Sequence, residues 1–182
     1  PGGGATEASS PKLVGNAMKA RQALIDWNEE QKKKNRGAKD DPLAQKAQFQ
    51  LGQSYMELAF FESAAKYFEI FASKYGAEKE APQALSTAVF FRRGLGQDTK
   101  AIEDSRLFVK SYRIGKNAKP QEAAAVEFSI GQIFETQKNW DKVVKHYGMY
   151  LKEWAKHGGV DREILAHVKI GELEIDRYRF EV

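Results

Sequence analysis

His146, His157 and His167 are the side chains that a metal site in this chain would draw on first, and their spacing does not supply one. No two of them stand three or four residues apart, and none lies in an HExxH frame. His157, beside Gly158 and Gly159, reads as a residue at a helix C-terminus, where the dipole favours a partial positive charge. Thiolate chemistry is excluded outright, because the chain contains no cysteine. Gly94-Leu95-Gly96 lacks the spacing of a phosphate cradle and has the explanation of a turn. Serines and threonines are scattered without a nucleophile elbow. The carboxylates nearly all stand at helical spacing from lysines, as Glu153 does from Lys156, which is ordinary surface pairing. The expectation is a protein that binds: no catalytic residue, no metal and no cofactor.

A binding surface has to be held by elements, and the prolines and glycines mark them. Pro11, Pro42, Pro82 and Pro120 each stand where an apolar periodic segment begins, where the missing amide would have no partner anyway. Ser10 and Asp41 precede two of them as capping residues, and Asp98, Asn139 and Asp161 are polar caps for further segments. Gly76, Gly96, Gly115 and Gly158 fall just past segment ends, where a left-handed residue closes a helix. The spacing predicts helices over about 11–35, 42–58, 61–75, 82–95, 98–114, 120–137, 139–157 and 161–179. No stretch alternates as a strand does, so the fold class is all-α.

The bulk properties agree. A chain of 182 residues with 42% hydrophobic and 12% aromatic content can bury a core. Its 29 basic and 25 acidic residues leave a net charge of +4, too little for nucleic-acid binding by charge alone. No apolar run approaches the roughly 20 residues that cross a bilayer. The chain begins at Pro1, which reads as a processed product or an excised piece, and an anchor upstream is left open. Residues 1–10 read as a flexible tether, and 11–40 as an N-terminal capping helix with Leu13, Ala17, Leu24 and Trp27 on one face, followed by a charged loop. Lys32, Lys33, Lys34, Arg36 and Lys39 in that loop region read as a solvated helix end.

One pattern recurs. Leu51-Gly52-Gln53 with Tyr55 returns as Ile130-Gly131-Gln132 with Phe134, and more weakly as Ile170-Gly171-Glu172. Ala64, Phe68 and Ala72 follow the first copy, and Val143 and Tyr147 follow the second. The small residues would let paired helices approach, with Phe61 and Trp140 plugging the corner between them. This pattern resembles the tetratricopeptide repeat family over residues 44–175. A middle unit fits less well, with Ala88-Val89, Arg92 and Ser105 at the signature positions, and Gln48 and Glu127 replace the leading tryptophan. The units stand about 37, 42 and 40 residues apart against 34 in the family. Such lengthened repeats resemble those of bacterial envelope members.

The resemblance implies a right-handed α-α superhelix of about three hairpins, at 41–80, 81–119 and 120–160, with 161–182 as a partial fourth. It also implies a non-catalytic scaffold that binds a protein or peptide segment in its concave groove. Carried over by position, the groove residues are Lys46, Phe49, Gln53 and Met56, then Gln83, Ser86, Phe90 and Arg93, then Phe128, Gln132 and Glu135, with Val168 and Glu172 on the last helix. Phe49 with Gln53, and Phe128 with Gln132, repeat at i, i+4: a ring for an apolar side chain and an amide for a backbone. The other reading of Phe49, Phe90 and Phe128 is that they pack as core. Arg93 would anchor a carboxylate. An envelope setting implies the periplasm or outer membrane of a Gram-negative bacterium, with the cytoplasm as alternative. Two competing functions stand beside this one: nucleic-acid binding through Lys110, Arg113, Lys116, Lys119, Lys138, Lys142, Lys145 and Lys152, and a helical accessory domain of a larger enzyme.

Overall fold

The computed structural model describes residues 11–181. The expected tether at 1–10 lies outside them. The described residues contain no strand. They form α1 (Pro11–Lys34), α2 (Pro42–Glu57), α3 (Phe61–Lys74), α4 (Ala81–Gly94), α5 (Asp98–Tyr112), α6 (Pro120–Thr136), α7 (Trp140–Glu153), the single turn α8 (Ala155–Gly158) and α9 (Val160–Glu181). They fall into two compact units, divided between Tyr75 and Gly76.

In the first unit α1 packs along α2, and α2 pairs with α3 as a hairpin. Asp41 caps α2 as its sequence position suggests, its Oδ1 accepting from the Leu43 amide at 2.7 Å. Ile25, Ala47 and Leu51 meet in the core with Met18 and Leu24 packed against them. Leu13 and Trp27 are on the outside, 64% and 49% exposed, so the expected face of α1 is buried only in part, at Leu24. The charged loop is tied down as well as solvated. Asn28, buried, donates to Asp40 at 2.9 Å and accepts from the Asp41 amide, while Lys32 closes a 2.9 Å salt bridge to Asp40. Burial works to raise the Asp40 pKa, yet the hydrogen bonds from Lys32 and Asn28 hold it below the usual carboxylate range.

In the second unit α4 pairs with α5 and α6 with α7; α5 packs on α6, and α7 and α8 pack on α9. The segment expected as one helix over 139–157 breaks at Trp154, whose backbone leaves helical geometry (φ −122°, ψ −17°). Its ring is buried, and its carbonyl accepts from the His157 and Gly158 amides to form the turn.

Both recurring glycines do what the pattern implies. A Cβ on Gly52 would lie 2.7 Å from the Phe68 ring, and one on Gly131 would lie 2.3 Å from the Tyr147 ring. Ala88 and Ser105 keep the middle unit in the same register, both fully buried, with Ser105 Oγ donating to the Ala101 carbonyl. Phe61 and Trp140 open α3 and α7 but stay 41% and 45% exposed, so they cover the corners only partly.

Helix ends repeat too. After α2, α4 and α6 the chain makes the same paired closure: Ala59, Gly96 and Lys138 bond to Met56, Arg93 and Glu135, while Phe60, Gln97 and Asn139 bond to Tyr55, Arg92 and Phe134. The left-handed residue is glycine only at Gly96; Ala59 (φ 60°) and Lys138 (φ 54°) adopt it without that freedom. Gly76 and Gly158 are not left-handed, and Gly159 (φ 81°) takes the role expected of its neighbour.

Candidate functional site

The two units present the expected groove residues differently. In the first, Lys46 and Met56 are exposed, and Gln53 is half-buried on a cleft of about 340 Å³ lined also by Val14, Arg21 and Ser54. Arg21 crosses from α1 to donate to Ser54 at 2.8 Å and to Gln50 at 3.3 Å. Phe49 turns inward, with ring centroids 5.7 Å from Phe68 and 5.1 Å from Phe71.

In the second unit Phe128 is core and leaves the list of groove residues. It is 5% exposed, packed 5.0 Å from Tyr147 and 5.2 Å from Tyr150. The reason is its place three residues before Gly131: positions i and i+3 share a face, and this face is filled by aromatics of α7. Phe90, by contrast, is 71% exposed on α4. One turn on, Arg93 is exposed and donates through Nη2 to Gln132 Oε1 on α6 at 3.1 Å. Ser86, half-buried, donates to the Gln83 carbonyl at 3.1 Å.

The polar line continues from α6 to α9. The Tyr147 hydroxyl donates to Glu135, so burial and that carboxylate together push the phenol well above its ordinary range. Lys169 Nζ lies 4.0 Å from Glu135 and 3.0 Å from Glu172. The hydrogen bond it donates to Glu172 holds the ammonium above its ordinary pKa, so it is charged at neutral pH. Val168 is 45% exposed beside it. The structure thus brings Phe90, Arg93, Gln132 and Glu135 onto α4 and α6, and adds Lys169, which stands between Val168 and Glu172 but is not among the expected groove residues. Gln132 spends its amide oxygen on Arg93 and keeps two N–H donors for a backbone carbonyl.

Gln48 and Glu127, at the positions of the missing tryptophan, are buried and bridge each hairpin. Gln48 donates to the Tyr67 carbonyl at 3.3 Å, and His146 Nε2 lies 2.9 Å from the Glu127 carbonyl. A carbonyl only accepts, so that ring nitrogen carries the proton. Burial lowers the His146 pKa against the pull of this bond, and burial raises that of Glu127 against the pull of Arg106. Among the described residues no cluster of three or more His, Asp or Glu side chains could hold a metal ion. No described helix is long and apolar enough to cross a membrane.

No family model matches the chain, and no curated protein matches it in sequence. Solved structures do resemble it. The crystal structure of BtubC (BKLC) from P. vanneervenii superposes with a TM-score of 0.52 at 13% identity, over 94% of this chain and 77% of that one. A Podosopora anserina putative kinesin light chain of nearly identical TPR-like repeats gives 0.52 at 12% identity, over 93% and 82%. A singly substituted form of that second protein gives 0.51 at 13%. At these identities the likeness shows the fold: an all-α, tetratricopeptide-like helical repeat.

Proposed function

We propose that the chain is a non-catalytic scaffold that holds an extended peptide segment of a partner protein on the α4–α6 face of its second unit. Phe90 takes an apolar side chain of the peptide, Arg93 meets a carboxylate, and the free donors of Gln132 meet a backbone carbonyl. The observation that carries this reading is Phe90. A ring 71% exposed, one helical turn from an arginine already oriented across two helices, is costly to display and suited to docking. The fold supports the reading in kind, since tetratricopeptide-like repeats are scaffolds. The lengthened repeat spacing supports an envelope setting for that partner, which fractionation of the native cells would test.

Panning a random peptide library on the full chain tests the binding site. The expected clones pair a large apolar residue with a carboxylate and lose binding on Phe90→Ala and on Arg93→Glu. Clones that bind both variants as well as the parent would place peptide binding elsewhere.

A further inference from the structure

The second unit holds another feature that the α4–α6 face does not use. Helices α5 and α7 and the end of α6 enclose an open cleft of about 540 Å³, within the range of sites that hold organic ligands. No residue of α4 lines it. Its apolar wall is Ile102, Phe134 and Met149, and its rim carries the cations Arg106, Lys142 and Lys145 against the single carboxylate Glu103. His146 lines it with a side chain only 10% exposed, fixed by its hydrogen bond to the Glu127 carbonyl. Burial keeps this imidazole neutral, so the positive character comes from the rim. Among the described residues neither Arg106 nor Lys145 has a carboxylate within salt-bridge distance.

We propose that this cleft binds an acidic peptide segment of a partner protein. An apolar side chain enters against Ile102, Phe134 and Met149, and flanking carboxylates meet Arg106, Lys142 and Lys145. Three alternatives fit less well. A lone inorganic anion would leave most of the volume and the apolar wall unused. An enclosed small molecule would want a closed pocket, and this one opens along the helices. A nucleic-acid strand would want a free ring to stack on. Lys142 lies 5.5 Å from the Phe134 centroid and His146 meets that ring edge-on at 5.7 Å, while Glu103 opposes a phosphate backbone. Charge complementarity therefore selects the carboxylate-bearing peptide.

Fluorescence anisotropy on the full chain tests this, with a fluorescein-labelled peptide of alternating glutamate and leucine as probe. Its glutamine analogue and an oligothymidylate of equal length serve as comparisons. Saturable binding of the acidic peptide is expected, weakened by at least about tenfold in Arg106→Glu and in Lys145→Glu, as the loss of charged hydrogen bonds implies. Both side chains are exposed, so the variants should fold, and far-ultraviolet circular dichroism checks that they do. In an Arg93→Glu background, which disables the α4–α6 face, saturable binding should remain and should still fall on Arg106→Glu and on Lys145→Glu, which separates the cleft from that face. The proposal is overturned if the acidic peptide does not bind or the glutamine analogue binds equally well. It is also overturned if the rim variants bind like the parent, or if the oligothymidylate displaces the peptide with equal affinity.

Discussion

Phe90 and Phe128 are both phenylalanines of first helices in their hairpins, yet one is 71% exposed and the other 5%. That difference separates binding from packing and can be measured. Truncating Phe128 to alanine should cost about 3–5 kcal/mol in chemical denaturation, because it empties a site between Tyr147 and Tyr150. Phe90→Ala should stay within about 0.5 kcal/mol of the parent, as expected for a surface change. A second residue-scale expectation concerns His146, whose pKa burial lowers from the ordinary 6.5. The folded state resists protonation there, so the unfolded state binds more protons as pH falls below 6.5, and stability is lost in that direction. Burial of Glu127 raises its pKa from 4.5 and acts in the opposite sense, favouring the folded state on acidification. Melts at about pH 7.5 and about pH 6 should therefore show a loss on acidification that shrinks in His146→Gln, a difference a simple packing defect would leave unchanged.

At the scale of the element, the repeat was legible because its signal is short-range. An apolar residue, a glycine and an aromatic within five positions suffice to mark a helix that a partner approaches closely. Gly131→Ala should lose about 1–3 kcal/mol, since the new methyl meets the buried Tyr147 ring; the better helix propensity of alanine returns only about 1 kcal/mol of it. Gly171→Ala should be neutral or gain up to about 1 kcal/mol, because no heavy atom lies within 4 Å of its Cβ position. The third copy of the pattern thus carries the letters without the packing. What was not legible depended on partners distant in sequence. Phe128 turned inward because of aromatics on α7, and the break at Trp154 followed from the burial of that ring. Ala59 and Lys138 close helices in a conformation that only their hydrogen-bonded surroundings impose.

At the scale of the molecule, two compact units share a helical-hairpin grammar but differ in what they display. In the first, Phe49 is half-buried against Phe68 and Phe71, and Gln53 faces a cleft beside α1. In the second, Phe90, Arg93 and Gln132 remain together on two neighbouring helices. The repeat register leaves Phe90 open between groove and core, and in the fold Phe90, Arg93 and Gln132 are all exposed, while the cleft between α5 and α7 is not legible in the sequence because its lining comes from three separate helices. With a net charge of only +4, salt-sensitive binding of single-stranded DNA or RNA is not expected in a filter-binding titration. The most direct measurement for the central claim is a calorimetric titration of the chain with a peptide selected on it, repeated with Arg93→Glu. Affinity should fall by at least about tenfold while the melting temperature stays within a few degrees. Equal affinity for the two proteins would contradict the assignment of the α4–α6 face as the binding site.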